Sequence, residues 1–169
     1  MKFVKELLLT MTLLLGSVSS VEAAPNIHAL QSDRQMLGNQ MIATMILVEN
    51  KACNIKISVD GETRWQHGCD TTNLTIYKNN EALIQYYNGD KPPYAFGVHI
   101  DNVDLDKGIS YYSVEEIYAG TGRSKARGKC TGDLNTNGFS CEAHLVDGDK
   151  KIDMKMITTG GQKHIINNN

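Results

Sequence analysis

The sequence lacks an apolar run long enough to cross a membrane as a helix, which takes about 20 consecutive residues. Its longest such run is Leu7–Leu15. It also lacks a C-x-x-C pair, a G-x-S-x-G turn and an H-E-x-x-H helix, which are common signatures of zinc sites and hydrolase centres. These absences exclude a membrane-spanning helix and leave no motif that identifies a catalytic centre.

The sequence also lacks a large excess of charge of either sign. The chain has 17 Lys and Arg residues against 19 Asp and Glu residues, for a net charge of −2. Loss of the first 23 residues would remove two lysines and two glutamates and leave that balance unchanged. A near-neutral protein is not a wholly basic nucleic-acid binder, so we expect no nucleic-acid partner.

The N-terminus has the three parts of a secretory signal peptide. Lysines at positions 2 and 5 precede the apolar run, and small residues end at Val21-Glu22-Ala23. The two lysines and short leucine core are typical of a bacterial export signal, with a eukaryotic secreted protein as the alternative. No cysteine near the cleavage site offers a thiol for a lipid anchor. We therefore predict that residues 1–23 are removed and that the protein is exported, to the periplasm or beyond the cell.

Four cysteines follow the signal: Cys53, Cys69, Cys130 and Cys141. An even number in an exported domain predicts two disulfides, and a zinc site is the rival interpretation. The Asp60-Gly61 dipeptide is typical of a type I′ hairpin turn. Pairing back from that turn puts Cys53 opposite Gly68, so a small bulge would bring Cys53 and Cys69 within disulfide reach.

A second cross-linked hairpin is predicted near the C-terminus. An Asp147-Gly148 turn leads to these pairs: Phe139 with Met156, Cys141 with Met154, and Ala143 with Ile152. Apolar side chains then share the inner face, and charged ones the outer face. Cys130 and Cys141 both point inward in this register, so a disulfide between them would close a hairpin over Thr131–Ser140.

Short alternating segments dominate the rest of the chain, and turn residues recur every 8–12 positions, which predicts a sandwich or barrel. Residues 41–48 are predicted as a buried strand, with a helix as the alternative. The one other predicted helix is Ala29–Gln40. The expected fold is all-β and mainly antiparallel: a single small β-barrel or β-sandwich with a short N-terminal helix, stapled by two disulfides. We divide it into an arm (24–40), a β domain (41–159) and a disordered tail (160–169).

The most distinctive pattern is a row of four cations on alternate positions: Arg123, Lys125, Arg127 and Lys129. In an extended strand they share one face at intervals of about 6.6–7 Å, a spacing that suits an acidic protein surface or an anionic polymer. The alternative is a solvated edge strand that uses charge to prevent pairing with other chains. No aromatic residue is interleaved with the cations, as a single-stranded nucleic-acid site would require.

Three histidines lie on three different predicted strands: His67, His99 and His144. Together around a metal they would make a small hydrolase or metal-dependent enzyme, but their spacing assigns none of them a catalytic role. We expect no cofactor and no metal. The leading hypothesis is an exported, non-catalytic binding module, such as an inhibitor, an immunity factor or a virulence effector, that uses its charged strand face and loops. A carrier with a ligand in the barrel or at its mouth is the third hypothesis.

Overall fold

The computed structural model describes residues 42–89 and 94–167. The regular elements in this part are nine β-strands. They are β1 (Ile42–Val59), β2 (Glu62–His67), β3 (Thr71–Tyr77), β4 (Glu81–Tyr87), β5 (Tyr94–Asp104), β6 (Ile109–Ala119), β7 (Gly122–Asp133), β8 (Gly138–Leu145) and β9 (Ile152–Asn167). The predicted signal peptide and arm helix lie outside the described residues. The alternative of a helix over residues 41–48 is wrong, since β1 begins at Ile42.

No membrane-crossing helix, long and apolar, occurs in the described ranges.

Eight of the strands, β1 and β3–β9, form a closed antiparallel barrel. Strands β3 to β9 pair in chain order, and β1 closes the barrel by pairing with both β3 and β9. The extra strand, β2, lies beside the second half of β1, beyond the residues that pair with β3. The predicted all-β antiparallel class is confirmed, and the architecture is a barrel.

The β1–β2 hairpin and its disulfide agree with the prediction. Asp60 and Gly61 both have positive φ angles, 52° and 86°, as a type I′ turn requires. Val59 pairs with Glu62, and a register shift follows between Ile57 and Ser58. That irregularity supplies the predicted bulge, so Cys53 and Cys69 form a disulfide with 5.2 Å between their Cα atoms.

The second predicted disulfide joins β7 to β8. Cys130 and Cys141 are direct cross-strand partners, and their Cα atoms are 4.1 Å apart. The two strands extend further than expected, to Asp133 and from Gly138, so residues 134–137 connect them where a loop over Thr131–Ser140 was predicted. The described residues contain no free cysteine.

The predicted register of β8 against β9 is wrong by two residues. Cys141 pairs with Met156, and Ala143 with Met154, because residues 146–151 form a longer connection than the two-residue turn we assumed. A shift by two keeps every side chain on its predicted face. The inward position of Cys141 is therefore correct even though its partner is not.

The predicted disordered tail is also wrong over most of its length. β9 continues through residue 167 and pairs with the first half of β1, for example Lys163 with Val48 and Ile165 with Ile46. The polar composition of residues 160–167 hid this strand, which is needed to close the barrel against β1. The β domain thus ends at or beyond residue 167, and not at 159.

The barrel interior is packed with side chains that alternate along the strands. Tyr86 and Phe96 lie at its centre, with ring centroids 6.2 Å apart and planes at 89°. The Tyr86 hydroxyl donates a hydrogen bond to Cys141 Sγ at 3.3 Å, and burial raises the pKa of that hydroxyl far above its ordinary value. The rest of this main core includes Ile55, Leu74, Ile84, Val98, Val114, Cys130, Ala143, Met154 and Met156. A filled interior leaves the walls and the two ends of the barrel for binding.

Candidate functional site

The four predicted cations lie on the outer face of β7, and all four are exposed. Each pairs across the sheet with an outward residue, for example Arg123 with Tyr118 and Arg127 with His144. The pairing of β7 with β6 has one irregularity, because one extra β7 residue is accommodated opposite the Val114–Glu116 step of β6. Such bulges bend a strand and redirect its side chains. The row is therefore a bent line of cations.

Arg123 is committed to a neighbouring carboxylate. Its guanidinium contacts both carboxylate oxygens of Glu116, with Nε 2.9 Å from Oε2, and its Cζ lies 5.9 Å from the centroid of the Tyr118 ring. Burial raises the pKa of Glu116, but the hydrogen bonds from Arg123 and Tyr118 outweigh it and leave that pKa below its ordinary value. The hydrogen bond with Glu116 in turn raises the pKa of Arg123. Arg123 thus has less charge to offer a partner than the other three cations.

Lys125, Arg127 and Lys129 form no ion pair with any residue in the described ranges. Carboxylates nevertheless lie beside them on the same wall. Lys129 faces Glu142 across the sheet, and the Glu142 carboxylate is 3.5 Å from Lys155 Nζ. We call the outer faces of β7, β8 and β9 the charged wall. It carries interleaved charges of both signs, with the cations of β7 along one side.

The three histidines do not come together. His99 lies on the outer face of β5 between Glu81 and Ser113, and His144 lies on the charged wall between Arg127 and Asp153. β6 and β7 separate those two strands, and His67 ends β2. No group of three or more metal-ligating side chains occurs within residues 42–89 and 94–167. The arrangement that a three-histidine enzyme requires is absent from this part of the chain.

A pocket of about 370 Å³ opens at one end of the barrel, where β2, β4 and β6 end and β5 and β7 begin. We call it the mouth pocket. The His67 and Tyr94 rings are stacked there, with centroids 6.2 Å apart and planes at 18°. The other lining residues are Ile55, Gly68, Tyr86, Asn88, Ala119 and Gly120. The lining offers aromatic and aliphatic surface with a few polar groups, which is typical of small-molecule sites.

Sequence reasoning missed the mouth pocket. Its residues come from several hairpins, and no motif links them in the sequence. His67 was considered as a metal ligand, whereas here its ring stacks on that of Tyr94. The partial signal was the pair of cysteines that ties the end of β2 beside this opening.

Comparisons with models of protein families, with curated proteins and with solved structures found no match.

Proposed function

We propose that this protein is an exported, non-catalytic binding module whose charged wall recognises the acidic surface of a partner protein. One observation carries the proposal: Lys125, Arg127 and Lys129 are exposed together on β7 without an ion pair in the described part of the chain. Two disulfides support export, since such bonds persist in oxidising compartments.

The mixture of charges favours a protein partner over a uniform polyanion. Glu142 and Asp153 lie on the same wall as the β7 cations, and they would repel a polymer with an anion at every repeat. A protein surface can place carboxylates against the lysines and cations against Glu142 and Asp153. Charge complementarity of this kind sets specificity and association rate.

The test is a triple substitution on β7 with a charge-matched control. The variant carries K125S, R127S and K129S, and the control carries K51S, K78S and K107S, which removes three exposed lysines from outside the charged wall. Both are used to capture partners from the exported fraction, and affinity for the captured protein is measured at low and moderate salt. We expect the β7 variant to bind at least about tenfold more weakly, with little dependence on salt, while the control binds normally.

Two outcomes would contradict this proposal. Equal loss in the variant and its control would show that overall charge, and not the wall, determines binding. Binding of heparin or polyglutamate, with no protein captured, would assign the wall to an anionic polymer.

The mouth pocket supports a second candidate, a carrier of a small aromatic or apolar ligand. Its 370 Å³ volume lies within the range of ligand sites, and the His67–Tyr94 pair offers a ring surface for stacking. NMR spectra recorded with a library of small aromatic compounds should show shifts confined to the lining residues. Substitution of Ala119 by Trp would fill the pocket and remove those shifts. If the A119W spectra respond like those of the natural protein, the carrier function fails.

A further inference from the structure

One stretch of the outer barrel surface is as buried as the interior. On β3 and β4 the side chains of Asn73, Thr75, Leu83 and Gln85 are each 0% exposed. Their neighbours Met45, Tyr77, Ala95 and Tyr118 are also buried. We call these eight residues the covered patch. Three of the neighbours, Tyr77, Ala95 and Tyr118, form a second hydrophobic cluster with Leu83, separate from the main core.

These side chains point away from the barrel interior. Leu74, Ala82 and Ile84 belong to the main core, and side chains alternate between the two faces of a strand. Asn73 and Gln85 are cross-strand partners, as are Thr75 and Leu83, so they share the opposite, outer face. A closed barrel has only solvent on that side unless another segment covers it.

The described residues supply no such segment. Eight strands form the barrel itself, and β2 extends the sheet beside the second half of β1. The covered patch lies instead beside the first half of β1, where Met45 pairs with Thr75. The covering atoms must therefore come from residues 1–41, 90–93 or 168–169.

Length decides among these three. The patch extends across five strands, about 19 Å, and about 13 Å along them. Residues 90–93 must bridge β4 to β5, and two residues after Asn167 reach only about 7 Å. A helix over residues 29–40, as the sequence predicts, would be about 18 Å long and 10 Å wide. Only the N-terminal segment is long enough.

Chain continuity points the same way. β1 begins at Ile42, and Ile42 packs against the hydrophobic cluster of the covered patch. The residues just before it therefore start at the edge of the patch. With residues 1–23 removed as a signal peptide, the adjacent segment is 24–41.

Two buried polar groups in the patch require hydrogen-bond partners from the segment that covers it. Asn73 Nδ2 donates to Gln85 Oε1 at 2.8 Å and to Thr75 Oγ1 at 3.1 Å. Asn73 Oδ1 and Gln85 Nε2 have no hydrogen-bond partner within the described part of the chain. Buried amides are almost always paired, so a matching acceptor and donor belong to the cover. The 24–41 segment contains amide side chains as well as apolar ones: Asn26, Gln31, Gln35, Asn39 and Gln40 beside Ile27, Leu30, Met36 and Leu37.

We propose that residues 24–41 dock on the covered patch as an integral part of the mature fold. Their apolar side chains pack on Leu83, Tyr77 and Tyr118, and their polar groups complete the hydrogen bonds of Asn73 and Gln85. This inference is independent of the charged wall and of the mouth pocket.

The experiment is photo-crosslinking in the oxidised mature chain. A benzoylphenylalanine placed at Tyr118, within the patch, should crosslink to residues 24–41, as mapped by mass spectrometry after trypsin digestion. The same group at Lys129, on the charged wall, is the control and should give no crosslink to that segment. Crosslinks from position 118 to a second copy or to another protein, or no crosslink at all, would overturn the proposal.

A second measurement uses substitutions in the segment itself. L30D with L37D should detach it, raise the fluorescence of a hydrophobic dye several-fold and lower the melting temperature. The control D33N with R34Q, at two positions that belong neither to the apolar set nor to the amide set, should leave both values unchanged. Equal dye binding by the natural protein and by the L30D/L37D variant would contradict docking, even if position 118 did crosslink to the segment.

Discussion

The covered patch and the charged wall are two sides of one barrel with opposite outer surfaces. On β4 the outward residues Leu83 and Gln85 are fully buried, whereas on β8 the outward Glu142 and His144 are exposed. The sequence reflects the difference. β8 and the start of β9 alternate apolar residues with polar or charged ones, while Thr71–Tyr77 and Ala82–Tyr87 contain no charged residue. An uncharged strand in an antiparallel barrel thus indicates burial on both faces, as it does in parallel sheets.

The largest difference between the covered patch and the charged wall is expected when a large side chain is removed from each. L83A, in the covered patch, should lower the free energy of unfolding by about 2–5 kcal/mol because it leaves a cavity in a filled site. I157A, at an outward position of β9 that is 46% exposed, should change it by less than about 1 kcal/mol. Denaturant unfolding at neutral pH gives both values. Similar losses for the two variants would mean that the patch is solvated.

The two disulfides should differ in the region of the barrel that each one protects. Replacement of either cysteine pair by alanine should cost about 2–4 kcal/mol, since loops closed by 16 and 11 residues of separation restrict the unfolded chain to a similar degree. The local effects should differ. Loss of Cys53–Cys69 should speed amide exchange in β2, which among the nine described strands pairs only with β1, while loss of Cys130–Cys141 should leave β2 protected. Equal exchange of β2 in both variants would contradict this prediction.

The buried amides of the patch should behave as a pair. N73L or Q85L alone should cost about 1–3 kcal/mol because each leaves the other amide without its partner in a buried site. N73L combined with Q85L replaces both polar groups and should cost much less than two single losses. A double-mutant cycle by denaturant unfolding measures the coupling. Additive losses would show that the two side chains act independently.

The smallest effect is expected at Glu116 and Arg123, which lie between the covered patch and the charged wall. The pKa of Glu116 is lowered in the folded protein, so its contribution to stability is present above the ordinary value of 4.5 and is lost as the pH falls through the lowered pKa. E116Q should therefore be less stable than the natural protein at pH 7, by less than about 1 kcal/mol because Arg123 is largely exposed. The difference should narrow as the pH falls below 4.5 and through the lowered pKa. A stability difference that widens in acid would mean that the pKa of Glu116 is raised on folding and not lowered.

Local chemistry allowed much of the fold to be predicted. The Asp60-Gly61 turn and the alternation around Cys130 and Cys141 were enough to assign both disulfides and the antiparallel class. The β8–β9 register failed because a shift by two residues leaves the pattern of inward and outward side chains unchanged. Residues 160–167 were missed because their pairing with β1 is long-range and their composition is polar.

The binding surfaces were less predictable. Alternation alone placed Lys125, Arg127 and Lys129 on one exposed face, but Glu142 and Lys155 come from other strands and were not included. The mouth pocket depends on the stacking of His67 with Tyr94, whose hairpins have no local relation. The covered patch also escaped prediction, because period two shows which side chains share a face but not what lies over that face.

The pairing of β1 with β9 also sets an order for assembly. In a chain that emerges from its N-terminus, one edge of β1 stays open until residues 152–167 have followed, since β9 pairs along nearly its whole length. An open strand edge is a template for pairing with other chains. Fragments that end before residue 152 should therefore aggregate and be sensitive to proteases, whereas a chain that includes residues 152–167 should resist both.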